Sequence, residues 1–258
     1  MDDLSLWIYI AMFGVAFVAG FVDAIAGGGG LITIPALISV GIPEHIALAT
    51  NKLQATFGSF TAAANFTHKK MVDFRSLWRG IIWTFIGAVL GTWAILLIDA
   101  TVIKYLIPIF LIAILIYTIF SPKLGESDSK KRINESLFYA IFGLVIGFYD
   151  GFMGPGTGSF WMFAFVSLLG LNLKSAVANT KILNFVSNIV SLFVFIAGGQ
   201  ILWMLGIIMG FGQMMGAYFG SHMVIKKEIK FIKTIFLIVV SLTIIKLLYD
   251  LFLKQNSL

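Results

Sequence analysis

The sequence predicts an all-α polytopic membrane protein made of two inverted structural repeats, each with long transmembrane helices plus one short helix after a Gly-rich break. Three observations predict it. Apolar residues make up 59% of the 258-residue chain and charged residues 12%, with a mean hydropathy of +0.99, more apolar surface than a water-soluble fold can hide. The stretch Asp23-Ala24-Ile25-Ala26-Gly27-Gly28-Gly29-Gly30-Leu31 returns as Asp150-Gly151-Phe152-Met153-Gly154-Pro155-Gly156-Thr157-Gly158. The basic residues, finally, cluster at loops that follow different helices in the two halves.

Crossing a bilayer takes about 20 apolar residues of helix. Runs of that order fall at 4–26, 46–66, 80–98, 102–120, 137–153, 175–197, 201–223 and 231–253. The first is preceded by Met1-Asp2-Asp3 with no basic n-region, so it is expected to stay in the mature protein as a helix. It ends where the glycines begin. Each glycine in a helix interior costs about 1 kcal/mol, so the consecutive Gly27, Gly28, Gly29 and Gly30 break the helix. Broken backbone in a membrane is tolerated only where protein buries it or it lines a cavity. The pieces 31–40 and 159–169 that follow the two breaks are apolar but short. At ~1.5 Å per residue each reaches about half way across the hydrocarbon.

The polar segment 121–135 divides the chain into a first transmembrane repeat, 1–120, a cytoplasmic linker, and a second repeat, 136–258. Gly20-Phe21-Val22-Asp23 matches Gly147-Phe148-Tyr149-Asp150, Gly41 matches Gly170, and Ala49-Thr50-Asn51-Lys52 matches Ala178-Asn179-Thr180-Lys181. Gly87-x3-Gly91 has its counterpart in Gly212-x3-Gly216-x3-Gly220, a spacing that lets helix backbones approach closely.

Charge sets the orientation. Lys69, Lys70, Arg75 and Arg79 mark one basic loop, Lys123, Lys130, Lys131 and Arg132 the linker, and Lys226, Lys227, Lys230 and Lys233 a last cluster. All are expected in the cytoplasm. The loop equivalent to the first, Ala197-Gly198-Gly199-Gln200, has no charge and is expected outside, which inverts the halves. On this map Lys174 is cytoplasmic, while Asp2, Asp3, Glu44, Asp99 and both termini are outside. The net charge of +6 is then a matter of topology, and no nucleic-acid partner is expected. With no cysteine and three scattered histidines, no cofactor or metal is expected either. Trp7, Trp78 and Trp203 suit anchors at the membrane interface.

The run from Gly20 to Pro35, Gly-Phe-Val-Asp-Ala-Ile-Ala-Gly-Gly-Gly-Gly-Leu-Ile-Thr-Ile-Pro, resembles the opening signature of the TauE/SafE sulfite exporter family. Ala49-Thr50-Asn51-Lys52-Leu53-Gln54 and Gly154-Pro155-Gly156-Thr157-Gly158 resemble that family too. The likeness covers nearly the whole chain and includes the duplication. It implies a multi-pass transporter of the bacterial-type inner membrane for small sulfur-containing anions, sulfite or organosulfonates. The second half departs from the first with Pro155 for Gly28 and Asn179-Thr180 for Thr50-Asn51, so the halves need not contribute equally.

The residues that could carry transport follow from cost and spacing. Lys52 and Lys181 lie about two turns inside apolar helices, where a lysine costs a few kcal/mol and needs a partner or a wet cavity. They either draw an anion inward, snorkel to the interface or make structural ion pairs. Asn184 and Asn188 follow Lys181 on one helical face, with Thr180 beside it. Asn51 and Gln54 form a comparable face around Lys52. Amide donors at this spacing suit the oxygens of a small oxyanion, or else hydrogen bonds between helices. Short helices starting near Leu31 and Ser159 would present free N–H groups and positive dipole ends to the same ligand, placing Gly28, Gly29, Gly30, Gly156, Thr157 and Gly158 beside it. Asp23 and Asp150, just before the breaks, could gate, carry a proton, balance the lysines or cap backbone N–H groups.

The expected function is transport of a small anion and not enzymatic catalysis, with the lipid bilayer as surroundings and homo-oligomerisation left open. Export is favoured, since an anion leaving a negative cytoplasm gains about 2.3 kcal/mol per charge per 100 mV. The alternatives are an intramembrane enzyme using Asp23 and Asp150 as a carboxylate pair, an anion channel, or a membrane scaffold.

Overall fold

A computed structural model describes residues 4–99, 102, 130–198, 201–227 and 234. Nearly all of the expected spans 102–120 and 231–253 lies outside the described residues, as do Asp2, Asp3, Lys123, Lys230, Lys233, Gly199 and Gln200.

The described secondary structure is helical: α1 (Leu6–Ala26), α2 (Gly29–Ser39), α3 (Glu44–His68), α4 (Phe74–Leu96), α5 (Glu135–Phe152, with a π turn over Tyr139–Gly143), α6 (Thr157–Leu168), α7 (Leu173–Ala197) and α8 (Trp203–Lys226). By length and composition α1, α4, α5 and α7 can cross a membrane. Helices α3 and α8 are as long, at 25 and 24 residues, but are less apolar than those four. For α3 the reason is a buried face bearing Thr50, Asn51, Lys52, Gln54, Thr56 and Ser59. The short helices α2 and α6 have 11 and 12 residues.

Helix α4 begins before the expected residue 80. The Asp73 side chain accepts a hydrogen bond from the Arg75 N–H at 2.9 Å and caps the helix, which draws Arg75 and Arg79 out of the loop and into the first turns. Asn134 and Asn172 cap α5 and α7 in the same way, accepting from the N–H groups of Ser136 and Ser175 at 2.8 and 3.0 Å. Lys174 is held at the start of α7 by donating to the Ile225 carbonyl at 3.3 Å.

Glycine decides how closely the helices pack. A Cβ on Gly216 would lie 1.9 Å from the Phe17 carbonyl oxygen, and one on Gly91 1.9 Å from that of Phe148. Neither could be accommodated, so α8 rests on the backbone of α1 and α4 on that of α5. The register gives the directions. Gly212 meets Phe13 and Gly216 meets Phe17, so α1 and α8 run parallel. Gly87 meets Leu144 and Gly91 meets Phe148, so α4 and α5 do as well. Leu53 with Gly206 and Phe57 with Gly210 align α3 with α8; Leu183 with Gly80 and Gly198 with Leu96 align α7 with α4. Helix α3 opposes α7, since Ala62 and Phe66 share a core with Val177 and Ala178, and Leu48 and Ala49 with Phe195. Thus α1, α3 and α8 point one way and α4, α5 and α7 the other. Exchanging α1–α4 with α5–α8 reproduces this packing scheme.

Candidate functional site

Both glycine breaks fold against each other. Helix α1 ends with Gly27 in the left-handed region at φ 74°, its N–H donating to the Asp23 carbonyl at 2.8 Å, a conformation that glycine adopts without penalty. A Cβ on Gly27 would lie 2.4 Å from the Gly158 Cα, and one on Gly158 2.4 Å from the Gly27 Cα. The two backbones therefore touch with nothing between them. Ser159 ties the junction by donating to the Ala26 carbonyl at 2.8 Å. The first turns of α2 and α6 consequently meet inside the protein, where their dipole ends make the region positive.

Two ion pairs cross between the halves. Lys52 Nζ lies 2.7 Å from Asp150 Oδ1 and also donates to the Asp150 carbonyl. Lys181 Nζ lies 2.8 Å from Asp23 Oδ2. Lys52 and Lys181 are 1% and 0% exposed, so each ammonium reaches a carboxylate instead of the surface. Asp150 also accepts from the Ser187 hydroxyl, and Asp23 Oδ1 accepts from the Gly29 N–H at 3.2 Å. Asp23 thus caps α2 while it balances Lys181. The four formal charges cancel, so what positive field remains comes from the helix ends. Each aspartate is matched to its own lysine.

A small cavity, about 30 Å³, opens at this junction, enough for about two water molecules. Of the residues singled out in the sequence, Asp23, Gly30, Asn51, Lys52, Asp150, Thr157, Gly158, Asn184 and Asn188 line it. Gly28, Gly29, Gln54, Gly156, Thr180 and Lys181 are not on its wall. Gln54 stands behind Asn51: its Nε2 donates to Asn51 Oδ1 at 2.7 Å, and Thr33 donates to the same oxygen at 2.6 Å. With its oxygen taken twice, Asn51 is left with its NH₂ for the cavity. Lys181 turns away to Asp23, and Gly29 spends its N–H on the same carboxylate. Thr180 is fully buried, and its hydroxyl has no hydrogen-bond partner among the described residues.

Sequence reasoning missed Gly27, Ala55, Gly154 and Gln213 as wall residues. Gly154 was signalled by its alignment with Gly27 four residues after the repeated aspartate. A Cβ there would come 2.7 Å from Asp150 Oδ1 and 2.8 Å from Lys52 Nζ, crowding the ion pair. The signal for Gln213 was a single carboxamide in the glycine-spaced stretch of α8.

An apolar helical bundle whose interrupted helices close on a polar cavity in its interior has the build of a membrane transporter. The chain belongs to the sulfite exporter TauE/SafE family, whose family model matches residues 12–247. It is 45% identical over 248 residues to a "probable membrane transporter protein" of Haemophilus influenzae, covering 96% of this chain and 97% of that one. It is 45% identical over 239 residues to the probable membrane transporter protein YfcA of Escherichia coli K12, covering 93% and 89%. To the probable membrane transporter protein ORF9 of a Sinorhizobium species it is 42% identical over 250 residues, covering 97% and 96%. No solved structure gives a significant match.

Proposed function

We propose that this transporter exports a small sulfur-containing anion, sulfite or a small organosulfonate, through a site between two inverted repeats, 1–120 and 136–258. The observation that carries the reading is the meeting of the α2 and α6 first turns at a cavity faced by the amides of Asn51, Asn184 and Asn188. Helix N-termini and amide N–H groups bind oxyanions without needing a free cation. The lysines serve by neutralising Asp23 and Asp150, which would otherwise repel the substrate. Export runs down the membrane potential at about 2.3 kcal/mol per charge per 100 mV, so Asp23 and Asp150 act in gating and need not carry protons. The enzyme alternative is disfavoured because each aspartate has its own lysine.

Purified protein in liposomes is expected to carry sulfite, with the flux accelerated by a potential positive on the destination side. Asn184→Asp, which places a carboxylate on the cavity wall at nearly unchanged volume, is expected to lower that flux by about tenfold or more. Wild-type protein that moves neither sulfite nor a small sulfonate would overturn the reading, as would hydrolysis of a sulfur ester without flux that is lost in Asp150→Asn.

The inverted relation is supported by α1 and α5 running in opposite directions. Because the chain has no cysteine, single thiols report sidedness directly. In intact cells an impermeant maleimide is expected to label Gly198→Cys, after α7, and to spare Lys70→Cys, after α3. Equal labelling of both would refute the inversion and the orientation with it.

A further inference from the structure

One wall of the cavity breaks the symmetry of the two halves. Gln213 on α8 is 2% exposed and lines the cavity, and its Oε1 has no hydrogen-bond partner among the described residues. Its place in the other half is taken by Thr84 on α4. A Cβ on Gly20 would meet the Gln213 carbonyl oxygen at 2.3 Å, just as one on Gly147 would meet that of Thr84 at 2.7 Å. Thr84 is fully buried and does not reach the cavity. The facing positions differ in the reverse sense. Gly58 follows Lys52 by the same interval as Ser187 follows Lys181. A Cβ at position 58 would lie 2.5 Å from the Gln213 Cγ, so glycine makes the room that the glutamine side chain fills. Ser187, by contrast, is engaged with Asp150.

Leaving a buried carboxamide oxygen unpaired costs about 1–3 kcal/mol, and such a group inside a polar cavity points to a ligand. A carboxamide serves either way round: turned over, it presents its NH₂ where its oxygen stood. Beside it are the NH₂ of Asn51 and the amides of Asn184 and Asn188. The Gln213 side chain occupies the room that Gly58 leaves beside the cavity, so its length sets how much of the site is open to a ligand.

We propose that Gln213 is the selectivity residue of this cavity: its amide binds one oxygen of the anion, and its length limits the size of anion that the site admits. The assignment rests on the transport reading above and narrows its substrate class. It is tested with full-length protein in liposomes by measuring sulfite flux in the presence of methanesulfonate as competitor. Wild-type protein is expected to discriminate against methanesulfonate. Gln213→Ala removes the donor and enlarges the site, so sulfite flux falls by about tenfold while methanesulfonate becomes an effective competitor. Gln213→Glu keeps the length but replaces the donor with a carboxylate, so sulfite flux is lost with no gain for methanesulfonate. Should the alanine variant fail to purify as a single species, the nearly isosteric glutamate variant decides. Wild-type flux with unaltered discrimination in Gln213→Ala, or unaltered sulfite flux in Gln213→Glu, overturns this assignment alone. A wild-type protein that carries no anion overturns the transport reading and this assignment together.

Discussion

Lys52→Met is expected to destabilise the protein by about 3–5 kcal/mol, because it leaves the Asp150 carboxylate buried without its counter-charge. Lys52 and Asp150 are 1% and 3% exposed, so the carboxylate stays shielded from bulk solvent, with no more than the few waters the cavity holds in place of the ammonium. Asp150 would keep only the Ser187 hydroxyl, a neutral donor. Asp150→Asn is expected to cost less, since Lys52 retains the backbone carbonyl at position 150 as an acceptor. Combining Lys52→Met with Asp150→Asn removes both charges and is expected to return most of the lost stability, because a buried ion pair barely exceeds its own desolvation penalty. The Lys181–Asp23 pair should show the same pattern with smaller amplitude. The Asp23 side chain is 16% exposed and keeps the Gly29 N–H when Lys181 is lost. Equilibrium unfolding in detergent of the single and double variants measures these differences, and flux measures function. Additive losses in the double variant would show that the two groups are not paired in solution.

The elements of the fold were legible because a membrane chain writes its helices as long apolar runs and its breaks as glycine clusters. Short α2 and α6 followed from Gly27–Gly30 and Gly154–Gly158 alone. The start of α4 was not legible from hydropathy. Arg75 and Arg79 read as a loop, and only the Asp73 cap, which lies among charged residues, marks the true boundary. For the candidate site, the helical stripe grouped Lys181, Asn184 and Asn188 on one face, of which Asn184 and Asn188 line the cavity. It did not foresee that the long lysine stem turns the ammonium aside to Asp23 while the short asparagines stay on the cavity wall. That pairing is set by how α7 packs across the break after α1, and no spacing within one helix encodes it. Gln213 was illegible for a similar reason. Its meaning depends on Gly58, far away in sequence, which is a hole until α8 is laid on α3.

Gly158→Ala is expected to lower stability by about 1–3 kcal/mol, the usual cost of overpacking, and to abolish flux. The added methyl would stand 2.4 Å from the Gly27 Cα and 3.2 Å from the Gly27 carbonyl oxygen. The Asn184 Nδ2, at 3.1 Å, could turn aside, but the closest neighbour is backbone, so α6 must move off the end of α1. That motion separates the two first turns whose N–H groups would face the anion. Gly27→Ala meets the same wall from the other side, 2.4 Å from the Gly158 Cα, and adds the left-handed strain of φ 74°, so it should be the more damaging of the two. Distance supplies the controls. Gly30→Ala would place its methyl 3.3 Å from the Pro155 Cα, a contact that a few tenths of an ångström relieve, and should lose flux only in part. Gly14→Ala has nothing within 4 Å and should gain up to about 1 kcal/mol from helix propensity with flux intact. A graded loss from Gly14 through Gly30 to Gly158 and Gly27 ties transport to the closeness of the breaks. Wild-type flux in Gly158→Ala would mean that the working protein does not hold them together.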